Sequence, residues 1–120
     1  MSKMNWKALE QAPQLKEIKN KSLTHPVLIF KHSTRCSVSS MALNRLERSW
    51  DSQDMTGVEL YFLDLIALRD VSNLVAEEFG VYHESPQILL IYNGECVYNT
   101  SHIGISYRAL KDQLDNAQLV

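Results

Sequence analysis

The stretch Val27-Leu28-Ile29-Phe30-Lys31-His32-Ser33-Thr34-Arg35-Cys36-Ser37-Val38-Ser39 holds the decisive pattern of this chain. Four apolar residues, two of them β-branched, stop abruptly at polar ones, and that length and composition predict a strand buried on both faces. After a polar turn over residues 31–35, Val38, Ala42, Leu46 and Trp50 recur every four residues, with Arg45, Glu47 and Arg48 off the stripe. This spacing predicts an amphipathic helix of about three to four turns. Cys36 then stands where strand gives way to helix, and the unpaired N–H groups and dipole of a helix start favour an anion there. With Arg35 beside it and Lys31 and His32 close in sequence, the thiol is expected to have a lowered pKa, and the thiolate is the reactive form. A buried structural cysteine fits less well, because its polar neighbours would be left unsatisfied.

Three residues beyond Cys36, where a two-cysteine redox motif would place its second thiol, stands Ser39. A hydroxyl can donate a hydrogen bond to a thiolate but cannot close a disulfide, so thiol exchange here needs a second molecule to resolve the mixed disulfide. A solvent-facing serine in the first helical turn is the plainer reading of the same residue. Cys96, the other cysteine, reads as a structural strand thiol.

Working outward, Trp6–Leu9 reads as a short edge strand, and Leu15 and Ile18 after Pro13 mark a helix ending near Lys21. Asp51–Gly57 is a polar loop, Val58–Asp64 a second long strand, and Val71, Leu74, Val75 and Phe79 form one face of a helix that Gly80 closes. Two apolar runs, residues 87–92 and 95–98, flank Asn93-Gly94, the strongest short-range signal for a hairpin. Ser106 can cap a last helix carrying Tyr107, Leu110 and Leu114. The order β-α-β-α-β-α-β-β-α gives an α/β fold: a mixed sheet of four to five strands covered by helices on both faces.

Composition narrows what such a fold can do. The chain has 120 residues, with Lys+Arg 12 against Asp+Glu 14. One domain is expected at this length. The slight acidic balance argues against a nucleic-acid partner. No apolar run approaches the roughly 20 residues of a membrane span, no signal peptide is expected, and two cysteines are too few for a secreted disulfide framework. The two cysteines with His25, His32, His83 and His102 show no metal-ligand spacing, so no metal is expected. His83 and His102 read as loop surface residues, and Glu77-Glu78 as a solvated helix face.

Phe79-Gly80-Val81, then Ser85-Pro86, an apolar strand and Asn93-Gly94-Glu95 resemble the second half of thioredoxin. That resemblance implies a thioredoxin-like three-layer α/β/α sandwich. In it Cys36 opens the helix after a central strand, and Pro86 is a cis-proline opposite it. The backbone of Ser85 would then hold an incoming disulfide partner as an added strand. Between Gly80 and Pro86 the chain is a residue longer than thioredoxin, which places His83 or Glu84 near the site.

A closer resemblance is to the monothiol bacilliredoxins of the bacillithiol system. It rests on Phe30-Lys31-His32-Ser33-Thr34-Arg35-Cys36 with Ser39, and extends to Trp6, Gln14-Leu15 and Tyr107-Ala109-Leu110. One departure is Ser37, where the family commonly has proline; Ser37 keeps a backbone N–H that proline lacks. The resemblance implies a monothiol thiol–disulfide oxidoreductase of the cytoplasm that removes bacillithiol from mixed disulfides through nucleophilic Cys36. No cofactor is bound; bacillithiol, or glutathione in its place, is the co-substrate. Lys31, His32, Thr34, Arg35, Ser37 and Ser39 are the candidates to stabilise the thiolate or bind the thiol, whose malate carboxylates need cationic or N–H partners. Ser85 and Pro86 are the candidate substrate clamp. The implied partners are a low-molecular-weight thiol and S-thiolated client proteins, with the chain a monomer or weak dimer. The competing readings are a binding module that docks a partner without turnover and a sensor capped by a thiol. An iron–sulfur carrier ranks last, since Cys36-Ser37-Val38-Ser39 lacks the Gly and Phe of the Cys-Gly-Phe-Ser motif.

Overall fold

The computed structural model describes residues 4–118 except 52 and 56, so two positions of the expected 51–57 loop lie outside the described residues. In chain order the elements are β1 (Lys7–Ala8), α1 (Gln14–Lys21), β2 (Val27–His32), α2 (Ser37–Ser49), β3 (Glu59–Asp64), α3 (Arg69–Phe79), β4 (Gln87–Tyr92), β5 (Glu95–Ser101), a 3-10 turn (His102–Gly104) and α4 (Tyr107–Gln118). The five strands lie in the order β1-β3-β2-β4-β5. β1, β3 and β2 run parallel through helical crossovers, while β4 lies antiparallel to β2 and β5 antiparallel to β4. This is the thioredoxin-like α/β arrangement, with helices on both faces of a mixed sheet.

The period-two alternation of a strand explains why β2 is buried on both sides. Leu28 and Phe30 join Ile88, Leu90, Ala42, Leu46, Leu110 and Leu114 in the core under α2 and α4. Val27 and Ile29 join Leu89, Ile91, Leu15, Ile18, Val71 and Val75 in the core under α1 and α3. On α3 the expected apolar stripe shifts: Ser72 is buried whereas Leu74 is 37% exposed. The residue at position 72 faces the end of β2, where its carbonyl meets Lys31.

Two glycines act through their backbone. Gly80 ends α3 in the left-handed region at φ 64°, and the Val81 N–H returns to the Ala76 carbonyl. Asn93 and Gly94 both have positive φ (55° and 79°), the requirement of the tight turn that lets two twisted strands stay paired. That hairpin turn is tied to the end of α1 by buried Ser22: its Oγ accepts from the Gly94 N–H and its carbonyl from the Asn93 N–H.

The β2 strand departs from the sequence expectation in a way that matters for the site. It does not stop at Phe30. Lys31 and His32 continue it, Lys31 paired with Leu63 and Gln87 and His32 with Asp64. Both are buried. The polar turn is therefore only Ser33–Arg35, because pairing on both sides extends the strand past its apolar run.

Candidate functional site

Cys36 occupies the N-cap position of α2, with extended backbone at φ −112° and ψ 118°. Its N–H donates to the Ser33 carbonyl at 3.2 Å, closing the turn, and its carbonyl accepts the Ser40 N–H at 3.2 Å, the first bond of the helix. No side chain caps the helix. The N–H donors of the first turn are thus left facing the position of an N-cap side chain, which here ends in sulfur. The Cys36 side chain is half-buried and free of any disulfide. Thr34, Arg35 and Ser37 around it are exposed, which leaves Cys36 approachable from solvent.

Behind the cysteine, Ser39 is fully buried rather than solvent-facing. Its Oγ accepts the Ser33 N–H at 3.1 Å and lies 2.7 Å from Nδ1 of His32. This places His32 and Ser39 under the Cys36 turn, but it changes the part Ser39 can play. If Nδ1 of His32 is unprotonated, the single hydroxyl proton of Ser39 goes to it and none remains for a sulfur. If Nδ1 carries the proton, the hydroxyl is free to donate. The His32 ring packs 5.4 Å from Phe62 and 6.2 Å from Phe30. Burial pushes its pKa below the ordinary histidine value, against the pull of Asp64 and Glu47, so the ring is neutral near pH 7.

Lys31 corrects the expectation that it joins the cysteine. Side chains alternate along a strand, so Lys31 points to the α1/α3 side with Val27 and Ile29 while His32 points to the α2 side. There the Lys31 Nζ donates to the Ser72 carbonyl at 3.3 Å and lies 3.4 Å from Nδ1 of His83. Nδ1 of His83 is also 3.2 Å from the Ser72 hydroxyl. With two donors facing it, Nδ1 is the acceptor, and the ring carries its proton on Nε2. Burial alone pushes Lys31 down to about 8. Burial and then the positive charge of Lys31 lower His83 as well. His83 is therefore a half-buried partner of Lys31, not a free surface residue. Reading Lys31 as part of a polar turn concealed this cluster; a polar residue counted into an otherwise apolar strand was the available signal.

The Ser85–Pro86 peptide bond is cis, as the resemblance to thioredoxin implied. The register Lys31↔Gln87 puts Pro86 one step further, beside the end of β2 from which the chain turns into Cys36. Ser85 and Pro86 thus share one end of the sheet with Cys36. The Pro86 carbonyl accepts the His102 N–H at 3.1 Å, and the Ser85 hydroxyl is buried with no hydrogen-bond partner among the described residues. Glu84, just before it, accepts a hydrogen bond from the Ser101 hydroxyl.

Cys96 lies at the other end. It is paired with Ile91, which pairs in turn with Val27 at the start of β2. Its thiol donates to the Tyr98 carbonyl at 3.3 Å, and burial raises its pKa. Among the described residues no group of three or more His, Cys, Asp or Glu is placed to hold a metal ion, and no helix is long and apolar enough to cross a membrane.

A family model described as monothiol bacilliredoxin BrxC matches residues 7–110. Among solved structures, one described as a candidate oxidoreductase with a thioredoxin fold is 29% identical. It superposes with a TM-score of 0.76, covering 89% of this chain and 91% of that one. Thioredoxin from Malassezia sympodialis (17% identity, TM-score 0.70) and from Trypanosoma brucei brucei (9% identity, TM-score 0.74) share the fold, each over 97% of this chain and 93% of theirs.

Proposed function

The chain belongs to the monothiol bacilliredoxin family of thiol oxidoreductases, and from that premise we propose that it removes bacillithiol from mixed disulfides on cytosolic client proteins through Cys36. The observation that carries this reading is the combination at one sheet end. A solvent-accessible cysteine stands at a helix start beside Ser85-Pro86, and the position three residues on holds a buried hydroxyl instead of a thiol.

The exchange runs in two steps. The Cys36 thiolate attacks the bacillithiol sulfur of the client disulfide. The S–S bond between the client cysteine and bacillithiol breaks, the client leaves as a thiolate that takes a proton from water, and Cys36 is left disulfide-linked to bacillithiol. A second thiol, as thiolate, then attacks the bacillithiol sulfur of that adduct and frees Cys36, so one disulfide is consumed and one formed. Arg35 and the first N–H groups of α2 supply positive potential for the leaving and attacking sulfurs and for the carboxylates of the thiol. Thr34 and Ser37 supply hydroxyl and N–H donors on the exposed rim. Ser85 and Pro86 receive the client backbone.

Mass spectrometry after exposure to oxidised bacillithiol tests the first step. The adduct is expected on Cys36 in wild type and in Cys96→Ser, and absent in Cys36→Ser. Turnover separates the catalyst from a capped sensor: with excess bacillithiol, catalyst releases many equivalents of client thiol per Cys36. Release that stops at one equivalent would overturn the catalytic reading.

A further inference from the structure

The sheet carries two buried polar side chains that the exchange chemistry does not use. Lys31 on β2 and Gln87 on β4 are directly paired across the strands and are 0% and 1% exposed. Their neighbours on that face are apolar: Val27, Ile29, Leu63, Leu89 and Ile91. Neither interacts with Cys36 in the contacts that hold them. Both reach instead to the segment between α3 and β4, which leads directly into Ser85-Pro86.

Three consecutive residues of that segment are tethered this way. The Tyr82 carbonyl accepts from Gln87 Nε2 at 2.9 Å. His83 Nδ1 faces the Lys31 ammonium at 3.4 Å, and the Glu84 N–H donates to Gln87 Oε1 at 3.4 Å. The Tyr82 side chain adds no packing, being 94% exposed, and the other side-chain tethers of the segment among the described residues are Ser72 on His83 and Ser101 on Glu84. No carboxylate pairs with Lys31 among the described residues; its charge faces His83 and the Ser72 carbonyl, while the charges of Arg69 and Glu84 act on His83 in opposite senses. For stability alone an apolar residue at this position would serve better, because burying an ammonium without a counter-ion is costly. A costly group kept beneath a substrate-facing segment fits a functional placement.

We infer that Lys31 and Gln87 are positioning residues, which fix residues 82–84 so that Ser85 and Pro86 present a set backbone to the client disulfide. The inference deepens the reading of Cys36 as a monothiol exchanger and rests on it for the identity of the client, but not for the state of the segment.

The test uses the full chain with Lys31→Met and, separately, His83→Ala, which leaves the core intact should the first variant fold poorly. Two readouts are taken: amide hydrogen exchange, and steady-state kinetics with a bacillithiolated protein. In Lys31→Met the Glu84 amide, which donates to Gln87, should exchange about tenfold faster or more as the segment loses the tether of His83 to a charged donor. Amides inside β2 and β4 should keep their protection. KM for the protein disulfide should rise by about the same factor, with kcat changed by less than about threefold. His83→Ala should shift KM in the same direction, and the double variant should be no worse than Lys31→Met alone. Unchanged exchange at the Glu84 amide in both variants would overturn the inference, as would equal loosening of the strands or a fall in kcat without a rise in KM. If wild type fails to turn over the mixed disulfide, the functional reading falls, while the exchange measurement still decides whether Lys31 holds the segment.

Discussion

Replacing Lys31 by Met should make the protein more stable, not less, and the amount follows from where the ammonium sits. Burial takes the Lys31 pKa from 10.5 to about 8, which corresponds to about 3 kcal/mol of penalty for keeping the charge inside at pH 7. Methionine carries no such penalty and suits an apolar neighbourhood of Ile29, Leu63 and Leu89. Against this stands the loss of the contacts to the Ser72 carbonyl and His83, about 2 kcal/mol together. Ser72 Oγ remains to meet His83 Nδ1. The net is a gain of about 1 kcal/mol at pH 7. The pH dependence fixes the cause. Between about 8 and 10.5 the unfolded chain binds more protons at Lys31 than the folded one, so wild-type stability rises with pH across that window. Below it both states are protonated and the penalty is complete. Urea unfolding followed by far-UV circular dichroism, for both proteins at pH 7, 8.5 and 10, isolates this group, because the other titrations cancel in the difference. The variant should lead at pH 7 and its lead should shrink toward zero by pH 10. A variant less stable than wild type at pH 7, or a gap that ignores pH, would refute the reasoning that the buried ammonium is a burden on the fold.

Three further perturbations probe the frame around Cys36. Ser39→Ala strands the buried Ser33 N–H and His32 Nδ1, and urea unfolding should show a loss of about 1–3 kcal/mol. His32, its pKa depressed by burial, contributes stability that is lost as pH falls below the ordinary histidine value of 6.5, because the unfolded ring takes up the proton first. The unfolding midpoint should therefore drop below pH 6.5, and less steeply in His32→Phe. Gly80→Ala puts a Cβ on a residue at φ 64° and should cost about 1 kcal/mol, read as a lower Tm without change in the Cys36 adduct.

The sheet, its helices and the cysteine were legible in the sequence because each is written in local pattern. Val27–Phe30 and residues 87–92 are apolar runs of strand length, Asn93-Gly94 sets its own turn, and Gly80 ends its own helix. Cys36 could be placed at a helix start because the stripe of Val38, Ala42, Leu46 and Trp50 begins just after it. What stayed hidden depends on register between distant strands. A lysine following Phe30 looks like the start of a turn until Gln87 pairs with it, and nothing within β2 itself announces that pairing. The burial of Ser72 in place of Leu74 follows from the same fact, since the polar face of α3 had to meet Lys31 and His83. Ser39 likewise read as surface until His32, now part of the strand, was found beneath it.

Register also decides how an adduct on Cys36 can be cleared. Cys96 is level with Val27, at the start of β2, whereas Cys36 lies beyond His32 at its end. Five residues of strand span about 17 Å, and two cysteines whose Cα atoms are more than about 7 Å apart cannot be bridged without moving the backbone. No such movement is available short of unfolding to a residue paired into β5 and one that opens α2 at the far end of β2. The thiol of Cys96 is also held to the Tyr98 carbonyl and kept protonated by burial, so it is a poor attacking group where it stands. Ser39, the residue well placed in sequence, has no sulfur. Resolution must then come from a thiol in another molecule, and its rate must scale with that thiol's concentration while the first step does not. Cys96→Ser should leave both rates unchanged in stopped-flow measurements over a range of thiol concentrations. A resolving phase independent of added thiol, and lost in Cys96→Ser, would mean that the chain opens far enough for its two cysteines to meet.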